Sequence, residues 1–230
     1  AVGAFALQYS EGTYNTAMGY KAMMGSTTTR TAYNNVGIGK ETLVNITSGY
    51  ENIAIGIHAG ENVTTANRNI YIGKEAGHAQ VASAEYGVMI GQSAGYDVSG
   101  YNAAADITES TYIGYYAGGN ASGNNNTFVG AGAGQSTNTG IALTAIGSNT
   151  LRTVTGSYNT AIGWGVMADG AGDAGANTGV GYRAMQALST GDRNNAQGNY
   201  ALSYVTTEND NTAMGDEAGK LIQSSNNTII

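Results

Sequence analysis

Two short motifs in this 230-residue chain have the form of catalytic or cofactor-binding signatures. Gly91-Gln92-Ser93-Ala94-Gly95 follows the G-x-S-x-G pattern that lifts a serine nucleophile onto a sharp turn. Gly170-Ala171-Gly172-Asp173-Ala174-Gly175 follows the G-x-G-x-x-G pattern of a dinucleotide-binding turn. Neither has the surroundings its chemistry needs. The columns of Ser93 recur as Gly56-Ile57-His58-Ala59-Gly60 and Gly73-Lys74-Glu75-Ala76-Gly77, so Ser93 stands where the chain also accepts His and Glu. No helix-forming stretch follows Gly175, and a phosphate cradle needs a helix N-terminus. His58 and His78 are too few for a metal site and read as two solvated histidines. Asp169, Asp173, Asp192, Asp210 and Asp216 could sit on Ca²⁺-binding turns, but they form no regular column. Asp216 and Glu217 are adjacent turn residues that point apart, which sets up no acid–base pair. The expectation is no enzyme, no catalytic residue, no metal site and no cofactor.

The elements behind these residues follow from composition. Of 230 residues 36 are Gly, none is Pro or Cys, and charged residues make up 11%. Without Cys there is no disulfide scaffold, thiolate zinc site or cysteine nucleophile. The net charge of −7 argues against nucleic acid, because phosphate binding needs a basic surface. No apolar run reaches the length of a membrane helix, and this stretch shows no signal-peptide pattern, so no membrane insertion is expected in this segment. At 41% hydrophobic, the chain still has the material for a core.

A repeat accounts for that composition. The unit reads Asn-[Thr/Val/Ile]-small-[Ile/Val/Met]-Gly-x-x-Ala-[Gly/Leu/Met]. Its anchor glycines are Gly19, Gly39, Gly56, Gly73, Gly91, Gly114, Gly130, Gly147, Gly163, Gly181, Gly198 and Gly215, spaced 16 to 23 residues apart. Its asparagines are Asn15, Asn35, Asn52, Asn69, Asn126, Asn159, Asn177, Asn194 and Asn211. Half units stand at both ends, which reads as one array over residues 1–230 cut from a longer chain.

Each column has a physical meaning. The residue before the anchor Gly is apolar in 11 of 12 copies and the one three before it is β-branched in 11 of 12, which is a short strand of period two. The residue between them is small in 8 of 12, which lets a second wall approach. The anchor glycine suits a corner with φ > 0. Asn four before it tolerates left-handed backbone and can stack into a ladder. Ala three after it, in 9 of 12, packs inward. The array therefore predicts an all-β parallel β-solenoid of about thirteen coils, each of two short strands, stacked at about 4.8 Å. So thin a coil buries little alone, and packing its Ile/Val/Thr strip against sister chains would add burial at about 25 cal/mol per Å².

Copies such as Asn15-Thr16-Ala17-Met18-Gly19-Tyr20-Lys21-Ala22-Met23 and Asn159-Thr160-Ala161-Ile162-Gly163-Trp164 resemble the NTAIG-type arrays of bacteriophage tail fibres, and the YadA-like head of trimeric autotransporter adhesins. The resemblance covers the whole chain, although no coiled-coil stalk, membrane anchor or chaperone tail accompanies it. It implies a left-handed parallel β-roll, three chains about one axis, and an extracellular place on a virion tail fibre or a bacterial cell surface. It also implies attachment to a host cell-surface glycan or protein.

The expected function is thus a structural, trimeric fibre or adhesin segment that displays or forms a host-surface binding region. The alternative is a subunit of an extracellular filament that polymerises end to end. An ice-binding solenoid would need a flat lattice of outward Thr, and the column of Thr16, Thr127 and Thr160 also holds Val36, Ile53 and Ile70. A glycan-cleaving spike would need a placed carboxylate pair. The insertion between Gly91 and Gly114 would emerge as a loop, and within it Tyr96, Tyr101, Asn102 and Asp106 are the candidate receptor contacts. The sixteen Tyr residues either offer contact area or stack from coil to coil.

Overall fold

The computed structural model describes residues 1–9, 11–25, 31–78, 84–96, 107–136 and 139–230. Two compact units, 1–120 and 121–230, carry the same repeat. The first holds β1 (Thr16–Met18), β2 (Val36–Ile38), β3 (Ile53–Ile55), β4 (Ile70–Ile72), β5 (Val88–Ile90) and β6 (Thr111–Ile113). The second holds β7 (Thr127–Val129), β8 (Thr144–Ile146), β9 (Thr160–Ile162), β10 (Thr178–Val180), β11 (Asn195–Gln197), β12 (Thr212–Met214) and β13 (Thr228–Ile229). Within each unit every strand pairs in parallel with the next, column on column: Val36 with Ile53, Ile53 with Ile70, Thr160 with Thr178. The fold is an all-β parallel β-solenoid, with no helix among the described residues. Its complete turns, from one anchor Gly to the next, number about eleven rather than thirteen, with a partial coil at each end. At the N-terminal half unit Val2 forms only an isolated bridge to Met18, and β13 has two residues.

Each coil contributes one strand, not two. The opposite wall is hydrogen-bonded from coil to coil but is not a β-ladder. Its residues two and four after the anchor Gly are left-handed, as at Glu41 (φ 54°) and Leu43 (φ 46°), or Arg183 (φ 53°) and Met185 (φ 50°). The alternation points successive amides in opposite directions. Glu41 N donates to Tyr20 O in the coil before, while Leu43 N donates to Ala59 O in the coil after. A left-handed non-glycine residue costs roughly 1–2 kcal/mol. Here each one aligns an N–H with a neighbouring coil, which leaves the wall's amides paired.

The anchor glycines hold a backbone that other residues do not reach. Gly73 has φ 133°, and a Cβ on it would stand 2.5 Å from Gly91 O in the next coil. The asparagines are not themselves left-handed; the residue before each one is, as at Glu51 and Arg68. Their side chains form the ladder. Asn52 Nδ2 donates to Asn35 Oδ1 at 3.0 Å and to Ala66 O at 2.8 Å, while Asn52 Oδ1 accepts from Asn69 N at 3.0 Å. Both ends of a fully buried amide are thereby used.

The core lies between the walls and is filled by exchange of volume. The middle residue of every three-residue strand is buried. Where it is large, at Tyr71, Met89, Tyr112 and Phe128, the residue four after the anchor Gly is Gly77, Gly95, Gly118 and Gly134. Where it is small, at Ala17, Gly37, Ala145, Ala161, Gly179 and Ala196, that residue is Met23, Leu43, Leu151, Met167, Met185 and Leu202; at Ala54 and Ala213 it is Gly60 and Gly219, and there Leu43 with Tyr71, and Leu202 with Ile229, reach in from the adjacent coils. A Cβ on Gly77 would collide with the Tyr71 ring, and one on Gly179 would press on Val166, Met167 and Met185. Close packing allows one large side chain per site.

Candidate functional site

With the middle residue inward, the two flanking strand residues face out. In the first unit these columns carry Val36, Ile38, Ile53, Ile55, Ile70, Ile72, Val88, Ile90 and Ile113; in the second they carry mostly Thr on one side and Val129, Ile146, Ile162, Val180 and Met214 on the other. Ile53, Ile55, Ile113, Ile146 and Ile162 are each 37–41% exposed. Across β1 to β12 neither outward column holds a charged residue. Depletion of charge in an outward apolar strip is the composition of an interface core.

The residues with catalytic or metal-binding potential are engaged in structural contacts. Ser93 is 6% exposed, and its hydroxyl donates to the Glu75 carboxylate at 3.4 Å. His58 and His78 are half-buried rather than solvated, and both approach Glu61: Nδ1 of His58 at 2.7 Å and Nε2 of His78 at 3.1 Å. The His58 contact is close but out of line for a hydrogen bond. Asp169 pairs with Arg152, Asp210 takes both a 2.6 Å and a 2.8 Å bond from Arg193, Asp192 accepts from Gly175 N, and Asp216 accepts from Asn199. The guanidinium of Arg193 holds the Asp210 carboxyl below its usual range. Among the described residues no group of three or more His, Cys, Asp or Glu is arranged to hold a metal, and no helix is long and apolar enough to cross a membrane.

Of the four insertion residues, Tyr96 packs its ring 4.9 Å from His78 and 6.3 Å from Tyr116. Tyr101, Asn102 and Asp106 lie outside the described residues. Other tyrosines stack along the coils, as Tyr33 does on Tyr50 at 5.0 Å with rings 3° apart. Arg68 lies over Tyr50 and Tyr86 and pairs with Glu51 at 2.9 Å. That bond to Glu51 raises its already high pKa.

A second corner, in unit 121–230, holds the chain's single Trp. Trp164 stacks on Tyr182 at 5.2 Å, and Tyr182 meets Tyr200 edge-on at 5.3 Å. The Arg183 guanidinium lies over all three rings, at 5.0, 5.3 and 5.9 Å. Beside Trp164 is a cleft of about 160 Å³ lined by Asn149, Arg152, Trp164, Gly165, Ala168, Asp169, Arg183 and Gln186. Gln186 donates to Asp169, and Arg152 Nη2 lies 3.2 Å from the same carboxylate. The cleft exists because Gly165 puts no side chain in a column that holds Asn149 and Arg183 in the coils on either side. Sequence reasoning missed it. The available signal was a lone Trp in the column of Tyr20, Tyr115 and Tyr182, followed by that gap.

No protein-family model, curated protein or solved structure matches the chain.

Proposed function

We propose that this chain is a segment of a structural, extracellular trimeric fibre or adhesin, one that displays or forms a host-surface binding region. The observation that carries the reading is the uncharged outward strip of Val, Ile, Thr and Met that each unit leaves half-exposed. Completing the burial of a half-exposed Ile or Val is worth roughly 1 kcal/mol. Of the nine Val and Ile residues in this strip of unit 1–120 three are exposed and six partly so, which gives at most about 9 kcal/mol per chain, comparable with a cost of association of roughly 4–15 kcal/mol. A closed ring of three chains would use the strip up, whereas an open arrangement would leave it to recruit further copies. The resemblance to NTAIG-type tail-fibre arrays and YadA-like heads supports three chains, a left-handed roll and a place on a virion or cell surface. Three copies of a weak surface site would then act with avidity.

Light scattering of the purified chain, with negative-stain images of the same sample, tests this. A discrete mass of three chains is expected, and Ile55→Lys together with Ile72→Lys reduces it to one chain with the far-ultraviolet spectrum retained. An open-ended distribution of threads would instead favour the end-to-end filament. A stable monomer would refute both.

A further inference from the structure

We infer that the Trp164 cleft binds an acidic sugar residue, a pyranose carrying a carboxylate. Three features converge on this chemistry. The first is a flat aromatic face. Trp164 is 42% exposed; it stacks on Tyr182 with the Arg183 guanidinium over its ring, and in the coil on the side away from Tyr182 the same column holds only Ser148. The part of the indole left exposed can take the C–H side of a pyranose ring, with polar groups at the rim to fix orientation. The second is a polar rim of fitting kind. Asn149, Arg152 and Asp169 surround the opening and offer donors and acceptors to hydroxyl groups.

The third is a cation without a counter-ion. Arg183 forms no ion pair with a carboxylate among the described residues, and its Nε is buried without a hydrogen-bond partner there. Three aromatic rings hold the guanidinium in place, so its position does not depend on a carboxylate of the protein. The rim has two arginines and one aspartate, a local excess of positive charge on a chain of net charge −7. Arg152 is already engaged by Asp169. Arg183, which lines the cleft, is the cation left to take a carboxylate, through the terminal nitrogens of its guanidinium.

The cleft forms within one chain. The inference rests on the fibre reading only for its setting, so loss of the trimer and loss of sugar binding are separate results. The single Trp makes tryptophan fluorescence, excited at the red edge where the sixteen tyrosines do not absorb, a probe of this corner alone. The experiment titrates the intact chain with D-glucuronate, D-glucose and inorganic phosphate to about 100 mM, enough to nearly saturate a site of about 10 mM. A saturable change with glucuronate at least about tenfold tighter than with glucose is expected, equivalent to about 1.4 kcal/mol. Arg183→Gln should remove that preference. Gly165→Asn should abolish binding with the circular dichroism and the particle mass unchanged, since Asn149 already occupies that column at φ 54°. No saturable change, equal affinity for phosphate, or an unaltered response in Gly165→Asn would each overturn the proposal.

Discussion

Exchanging volume between the two walls at Tyr71 and Gly77 tests the account of the core most directly. The Tyr71 ring is fully buried and sits between two glycines: a Cβ on Gly60 would stand 3.1 Å from its Cδ2, and one on Gly77 would overlap its other edge. Tyr71→Ala removes the ring and costs about 4 kcal/mol, the usual loss for a buried aromatic. Gly77→Leu forces a side chain into the ring and costs about 2 kcal/mol or more. Independent effects would sum to about 6 kcal/mol. The double variant should instead lose about 3 kcal/mol, because Leu43, Leu151 and Leu202 fill the same column at φ 46°, 46° and 50° opposite Gly37, Ala145 and Ala196. A remainder persists because one Leu replaces only the half of the ring facing Gly77. The assay is guanidinium unfolding followed by circular dichroism, with hydrogen exchange at Gly77 N, which donates to Ala94 O. Additive losses would show that the pairing of large with Gly is coincidental.

Other perturbations separate the remaining contributions. Asn52→Ala leaves Ala66 O and Asn69 N without their ladder partners and should cost about 3 kcal/mol, against about 1 kcal/mol for Asn15→Ala at the part-buried end, read by denaturant midpoints. Gly73→Ala meets both the φ penalty and the Gly91 carbonyl and should cost about 3 kcal/mol, whereas at Gly215 the nearest atom to an added Cβ is Ala218 Cβ at 3.9 Å, so Gly215→Ala should cost about 1 kcal/mol. Glu208 is raised in pKa by burial, but this is outweighed by the amides of Thr206, Thr207 and its own residue, so its carboxyl lies below the usual range. A lowered folded pKa gives stability that is present above the ordinary Glu range and is lost as pH falls through the folded value. The Thr206 and Thr207 amides, which donate to Glu208, should therefore lose protection relative to their intrinsic exchange rate as pH falls, and Glu208→Gln should flatten that dependence; an unchanged protection profile would refute the assignment.

The columns of the repeat carried more information than its period. Thr16, Val36, Ile53 and Ile70 stack in register because an anchor Gly recurs beside each, and that spacing is plain in the sequence. The Asn ladder was legible for the same reason. The second wall was not, since alternating left-handed residues such as Lys21, Met23, Glu41 and Leu43 have no compositional mark. Asn and Gly usually announce φ > 0, but here Lys, Met, Glu and Leu adopt it because bonds to both neighbouring coils over-determine the backbone. The trade of Tyr71 for Gly77 against Gly37 for Leu43 was visible in principle, but only by reading two columns jointly. The Trp164 corner was hidden because it depends on an absence at Gly165 beside a presence at Arg183.

These two walls divide the labour of the surface. On the β-ladder side the outward columns are restricted to Thr, Val, Ile and Met, with Asn195 and Gln197 as the polar exceptions. Such uniformity is what a repeating, self-complementary contact would require. On the left-handed side the residue after the anchor Gly is Tyr20, Lys40, Ile57, Lys74, Trp164 or Asp216, and the backbone hydrogen bonds between coils are made whatever its side-chain type, although some of these side chains pair with one another, as Asn199 does with Asp216. The backbone there is fixed by amides shared with the coils before and after. Side chains on that wall can therefore vary without loss of the fold, as loops do on other scaffolds. A solenoid built this way holds one outward face nearly constant while the other varies, so the proposed assembly through the apolar strip and the proposed binding at Trp164 would fall on different walls and could change independently.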